Sequence, residues 1–473
     1  MRHRHEVPAI GRNVNLSEGE STFRPQLMSA DPEKLLTALL DKAKAQGADA
    51  ADALLYKSLS SNVSVRLGET EEVERSENQD LGLRVFIGDK QASVSSTNFR
   101  EDALDTLVER VVQMARLAPS DPYAGLAPED RLAKPPFPDL DLSDGYEPTT
   151  EELTERAKAC EDAARAVEGV TNSSGAGASV SAGESFFATS HGFFGRKHGG
   201  SHSVGVSVLA GEGTAMERDY ESDAAVHLSD LRDPRDVGRE AGERTVRRLN
   251  PRKMKSQQAP VIFEQRLAAS LLGPLASAAN GAAIARRTSF LLDKLGERLF
   301  PETIIVRDDP LRKRGFGSKP FDGEGVTCEP FDLIDKGVLT QWYLNSAQAR
   351  QLGLETNGRA RRGTGGAPSS GPSNLDLLPG TKSPEELIRD AGNGLLVTDM
   401  FGPQINGNTG DYSVGCSGFA IENGEIAYPV SEITIAGNLL DMWGSITAGN
   451  DLKRKGSVNA PTLLIERMTI AGN

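Results

Sequence analysis

The sequence predicts an α+β protein: an N-terminal lobe of two repeated helix–strands–helix units with antiparallel sheet, followed by a β-rich C-terminal lobe. Three observations carry that expectation. An order of helix, strands and helix recurs twice before residue 252. Strands within a unit are joined by connections as short as Gly88-Asp89-Lys90, which suit antiparallel pairing. From Ala259 onward, short apolar runs separated by glycine replace helical periodicity.

Residues 1–30 show no such pattern and are expected to form a disordered extension, with Met28 as an alternative start. The lobe 31–252 opens with a helix from Pro32 to Gln46, where Leu35, Leu36, Leu39 and Leu40 recur at helical spacing and Gly47 is the stop. Alternation then marks strands at Val63, Val65 and Leu67, at Leu81, Leu83 and Val85, and at Ala92 and Val94. A second helix, about Arg100 to Leu117, completes the unit 31–133. The proline- and acid-rich stretch 134–148 reads as a linker. The unit 148–252 repeats the order: a helix from Thr149 to Glu168 stopped by Gly169, strands from about Ser179 to Leu209, and a closing helix from Pro234 to Leu249.

In the lobe 253–473, Pro260 to Phe263 reads as a strand leading into an uncharged stretch, Leu267 to Ala285. That stretch is rich in alanine and glycine and includes Pro274 and Asn280. It is too weakly apolar for membrane insertion and is expected to be a buried helix. Gly273, Ser277, Gly281 and Ala285 form a small-residue stripe along it, suited to close packing. Strand-like runs follow at Thr303 to Val306, Gly337 to Tyr343, Gly394 to Met400, Gly418 to Tyr428 and Glu432 to Ile435. Between them, Thr356 to Pro379 reads as a long loop.

A net charge of −14 argues against direct nucleic-acid binding. The basic clusters at Arg247 to Lys255 and Arg359 to Arg362 are short and read as solvated faces. Three scattered cysteines, Cys160, Cys328 and Cys416, suit a reducing cytoplasm rather than a disulfide framework or structural zinc site. No signal-peptide pattern opens the sequence.

Nucleophile motifs are absent, with no GxSxG elbow and no SxxK, and Arg362-Gly-Thr-Gly-Gly is no phosphate loop because GxxxxGK[ST] is missing. His191, His198 and His202 cluster loosely, but glycines and a strand-like alternation surround them. They are expected to be exposed on a strand and loop, and His227 to be structural. The carboxylates from Glu69 to Glu77 read as a solvated face, and those of Met216-Glu-Arg-Asp-Tyr220 lack an evident partner.

Several stretches resemble one family. They are Asp121-Pro-Tyr123, Met216 to Tyr220, Pro260-Val-Ile-Phe263, Thr288 to Gly296, Arg361-Arg-Gly-Thr-Gly-Gly366, Gly410-Asp-Tyr412 and the long run Ser417 to Asn438. From Pro32 onward the chain resembles the PmbA/TldE branch of the TldD/PmbA family, which is associated with metal-dependent proteolysis. In the TldD branch an HExxxH helix and a later cysteine hold zinc, and the glutamate serves as general base. The positions matching that motif here are Gly273 to Ala278. Gly273, Pro274 and Ala278 bear no donor, and no cysteine occurs from Asn450 to Asn473.

The resemblance therefore implies a subunit with no catalytic residue and no metal of its own. Its TldD-like partner would carry the zinc and cleave unfolded peptides in an internal cavity. Arg362, Asn374, Asp411 and Tyr412 are the expected peptide-cavity residues. A peptide-binding homodimer of regulatory, gyrase-modulator type is the alternative, with self-association in place of the partner. A third reading is an enzyme with a site around His191, His198 and His202.

Overall fold

The computed structural model describes residues 31–472; the expected extension 1–30 lies outside the described residues. The N-terminal lobe is built on α1 (Pro32–Ala45), β1 (Ala50–Arg66), β2 (Glu69–Ile87), β3 (Lys90–Ser96) and α2 (Glu101–Leu117). Its second unit comprises α3 (Thr150–Arg165), β4 (Val170–Thr189), β5 (Phe194–Ala210), β6 (Glu217–Ala225) and α4 (Pro234–Arg247). Local chemistry starts these helices. Asp31 accepts the backbone N–H of Glu33 ahead of Pro32, Thr149 and Glu152 form a capping box, and Asp233 caps α4 ahead of Pro234.

The two units share one antiparallel sheet in the order β3-β2-β1-β4-β5-β6. They join where β1 pairs with β4, from Asp52 opposite Thr189 to Val65 opposite Ala176. The strands are longer than apolar alternation alone reveals, because much of β4 and β5 alternates Ser and Gly and the first half of β2 is acidic. All four helices cover the same face. Odd-numbered residues of β1 make this plain: Ala51, Ala53 and Leu55 pack under α1 and α2, whereas Leu59, Val63 and Val65 pack under α3 and α4. The acidic run from Glu69 to Glu77 is the first half of β2, beyond the reach of β3, and its exposed charges line an open sheet edge.

In the C-terminal lobe, β7 (Gln257–Phe263) runs parallel to Gly394–Ile405 and antiparallel to Leu463–Ala471. Asp411–Glu422 and Glu425–Asn438 extend the sheet. Glu425–Asn438 then pairs back onto Leu463–Ala471, so five strands close into a small barrel. A second, five-stranded sheet of short segments packs beside it, with Leu375–Leu377 next to Val306–Asp308 and Val458–Asn459. Trp443 is fully buried in their common core, stacked on Phe300 at 5.4 Å and Phe290 at 5.8 Å.

Two expectations for this lobe need correction. Leu267 to Ala285 is not one helix but a chain of short turns, with helical segments at Gln265–Ala268, Leu272–Ala278 and Gly281–Ala285. Asn280 interrupts it: its backbone is extended, and its side chain accepts the N–H of Ala282 to start a new turn. The small-residue stripe is consequently split. Gly273 and Ser277 face open space, and only Gly281 is packed, with the Tyr343 carbonyl 2.8 Å from where a Cβ would stand. The loop from Thr356 to Pro379 is also structured. Ala360–Arg361 pairs with Ser369–Ser370 as a hairpin, and Leu375–Leu377 is a sheet strand.

Because Trp443 holds the barrel against the second sheet, Trp443→Ala should cost about 3–5 kcal/mol by equilibrium urea denaturation.

Candidate functional site

The helix-free face of the N-terminal sheet is lined by small polar residues. Tyr56, Ser58 and Ser60 on β1, Ser181, Gly183 and Ser185 on β4, and Gly199 and Ser201 on β5 form the floor of a cavity of about 410 Å³. Leu142 and the C-terminal lobe's Gly315, Phe316 and Ser318 complete its wall. The hydroxyls run in cross-strand pairs, Ser181 with Ser201 at 2.9 Å and Ser179 with Ser203 at 2.7 Å. Such a surface offers shallow, interchangeable hydrogen-bonding groups and little side-chain bulk.

Lys197 stands at one end. Its ammonium donates to the Asp322 carbonyl at 3.3 Å and lies 4.8 Å from the centre of the Phe321 ring. Burial pushes this amine down to about 8, with the Lys319 ammonium adding to the effect.

Elsewhere on the N-terminal sheet the C-terminal hairpin docks, at Asp52, Asp80 and Gly82. The fully buried Asp52 carboxylate accepts from Arg84 Nε at 2.7 Å on β2 and from Arg362 Nη2 at 3.0 Å on the hairpin. Burial alone would raise the Asp52 carboxyl. The Arg84 and Arg362 guanidiniums outweigh it and hold the group below the usual carboxylate range. Beside this triad Thr364 bonds Asp80, and the Thr364 backbone passes so close to Gly82 that a Cβ there would lie 2.4 Å from the Thr364 carbonyl oxygen. A second tie joins the lobes: Arg248 of the N-terminal lobe reaches Asp219 on β6, Asp399 and Ser417, while Arg266 bonds Asp219 at 2.9 Å and the Thr398 carbonyl at 2.8 Å.

The four residues singled out for a peptide cavity do not converge. Arg362 is committed to Asp52 and to the carbonyls of its own hairpin. Asn374 is buried and ties loops together, accepting from Gly317 N at 2.8 Å and donating to the Asp309 carbonyl and Ser318 Oγ. Asp411 is exposed at the first position of its strand, where bonds from Thr409 and Asn438 lower its carboxyl pKa. Tyr412 is buried with its hydroxyl near Met400 Sδ at 3.7 Å, and burial raises that hydroxyl well above the ordinary tyrosine range.

The histidines are dispersed as well. His191 is held between Thr189 Oγ1 and the Ala127 carbonyl. His202 is buried on the helix face with Nε2 3.0 Å from Asp144, a correction to the expectation of exposure. His198 is exposed at the cavity rim. Four residues of strand separate His198 from His202 by about 13 Å, too far to share an ion.

Among the described residues, no three His, Cys, Asp or Glu side chains converge in metal-binding geometry. Gly273 is exposed with nothing near, and neither Pro274 nor Ala278 carries a donor, so the family's metal does not fit these positions. Burial pushes the thiols of Cys160 and Cys416 up to about 12 and that of Cys328 up to about 11, far from a reactive thiolate. No helix of the described residues is long and apolar enough to cross a membrane.

The architecture is a helix-backed antiparallel sheet docked on a small closed barrel. Family models for the PmbA/TldA metallopeptidase domain 1, central domain and C-terminal domain match residues 51–115, 143–249 and 256–472. The chain belongs to the PmbA/TldD family. It is 39% identical to the metalloprotease PmbA of Escherichia coli O157:H7, over 93% of this chain and 96% of that one. It is 34% identical to the PmbA homologue of Haemophilus influenzae, over 94% and 98%. A crystal structure from Bacteroides thetaiotaomicron, described as a modulator of DNA gyrase, superposes with a TM-score of 0.86 at 29% identity, covering 94% of this chain and all of the other. TldE from Thermococcus kodakarensis shares the fold, with a TM-score of 0.82 at 22% identity over 93% of this chain and all of that one.

Asp52→Asn would leave two buried guanidiniums short of a counter-charge and should cost about 3–5 kcal/mol near pH 7 in urea denaturation. A carboxyl whose pKa is depressed by folding contributes stability above its unfolded value, about 4, and loses it as pH falls through the folded value. The stability gap between wild type and Asp52→Asn should therefore narrow as pH drops below about 4. Independently, Gly82→Ala should push the hairpin off the sheet, costing roughly 1–3 kcal/mol and exposing the hairpin to limited proteolysis.

Proposed function

We propose that this chain is the non-catalytic subunit of a two-chain metallopeptidase acting on unfolded peptides in an internal chamber. The observation that carries the reading is a broad serine- and glycine-lined sheet face, joined by Glu184, Lys197 and His198, in a member of a metallopeptidase family. Gly273, Pro274 and Ala278 support it further, since residues without donors stand where a zinc-binding relative would need them. In this reading a TldD-like partner supplies the zinc, which activates water there.

This chain's own residues would then bind and orient. Serine hydroxyls of β1, β4 and β5 offer hydrogen bonds to an extended main chain, and their small size admits many side chains. The loop that carries Gly315, Phe316 and Ser318 walls the chamber, and Asn374 holds that loop through Ser318. Asp411 is the one exposed member of the proposed peptide-contacting set, and Tyr412 packs beneath it. Three free, buried thiols fit a cytoplasmic setting.

Co-expression with a TldD-like chain tests the proposal. The two should co-purify, zinc should follow the partner, and only the pair should cleave an unstructured peptide. Stoichiometric zinc, or cleavage, in this chain purified alone would overturn it. Relatives described as gyrase modulators keep a second reading in view, a peptide-binding homodimer without hydrolysis. Peptide binding by a self-associated chain that ignores the partner would favour that reading.

A further inference from the structure

Two runs of three basic residues, Arg312-Lys313-Arg314 and Lys453-Arg454-Lys455, lie far apart in the sequence but line one cleft of about 370 Å³. Arg232, just beyond β6, joins them, and Asp223 and Asp230 are the acidic residues in the same wall. Such a convergence is notable in a chain whose net charge is −14.

The cations outnumber the carboxylates that hold them. Buried Asp376 serves both Arg312 and Arg454, the latter through Nε at 2.7 Å. Buried Glu221 faces Lys455 at 2.5 Å, and Arg232 and Arg244 at 3.4 and 3.5 Å, with Glu240 pairing Arg232 at 2.7 Å and Arg244 at 3.1 Å. Asp141 and Asp230 do neutralise Arg314. Lys313 and Lys453 form no ion pair among the described residues, although Asp141 lies within electrostatic reach of Lys313. The cleft thus keeps positive charge to spare, presented on rigidly tethered neighbours.

Its position gives that charge a use. The cleft shares Val226, Gly315 and Phe316 with the serine-lined cavity, so the two are neighbours across a single stretch of wall. We infer that the basic cleft is a carboxylate-binding subsite that selects acidic peptides, receiving Asp or Glu side chains, or a terminal carboxylate, of a chain lying along the serine face. This rests on the peptide-handling reading above and adds a preference for acidic substrates. An elongated ligand would meet sequence-tolerant hydroxyls along the sheet and a charge filter at one end.

The test uses the full chain and three labelled peptides of about 12 residues: an acidic one with an amidated end, its Gln/Asn counterpart with an amidated end, and that counterpart with a free carboxylate. Fluorescence anisotropy should show roughly threefold to tenfold tighter binding per carboxylate at about 50 mM salt, shrinking at about 500 mM. Whichever arm gains identifies side-chain or terminal recognition. In the double variant Lys313→Gln/Lys453→Gln the gain should vanish with the melting temperature unchanged, whereas Lys34→Gln on exposed α1 should keep it. Equal affinity for all three peptides, or a gain that survives the double variant, would overturn the inference. If neutral and acidic peptides are cleaved equally by the two-chain complex, this inference fails and the proposed function stands. If none is bound or cleaved, both fail.

Discussion

A single buried carboxylate, that of Asp52, holds the architecture together at its most expensive point. Two guanidiniums from opposite lobes meet on it, Arg84 from the sheet and Arg362 from the hairpin. A lone buried charge would be intolerable, and two unpaired guanidiniums would be worse. Each therefore requires the others, and the hairpin has one position in which all are satisfied. Gly82 makes that position accessible, because any side chain there would collide with the Thr364 backbone. The lobes are thus joined by mutually dependent charges as well as by the apolar cluster of Leu54, Phe187, Phe193 and Phe321.

That junction explains why the sheet has two unlike faces. One is buried under α1 to α4 in the usual apolar way. The opposite face carries large apolar side chains, Leu54 and Phe187, where it meets Phe321 of the C-terminal lobe, and is otherwise small and polar. Serine and glycine there satisfy the pleat without demanding a fixed partner. A face of this kind suits a transient extended chain better than a fixed small ligand, which would need convergent and specifically placed groups. The adjoining basic cleft supplies the one strongly directional feature.

Much of the fold was legible from sequence. Leucines at helical spacing and the acids at Asp31, Thr149-x-x-Glu152 and Asp233 locate the N-terminal helices through local chemistry that does not depend on distant contacts. The repeat of the two units was equally visible. Strand lengths were not, since Ser-Gly alternation in β4 and β5 lacks the apolar signal by which strands are usually read. The continuous helix expected from Leu267 to Ala285 failed because composition carries no word of Asn280 turning its backbone outward to cap a new segment.

The candidate site divides the same way. By itself the sequence determined the family likeness, the donor-free positions Gly273, Pro274 and Ala278, and the scarcity of histidine and cysteine, because these depend only on which atoms are present. Tertiary structure alone decided what the polar residues do. It spent Arg362 and Asn374 on holding loops, buried Tyr412 and His202, and brought two modest basic runs into one cleft. Each of those outcomes depends on which charges and hydroxyls find partners across the lobe boundary, and pairing of that kind is a property of the folded arrangement.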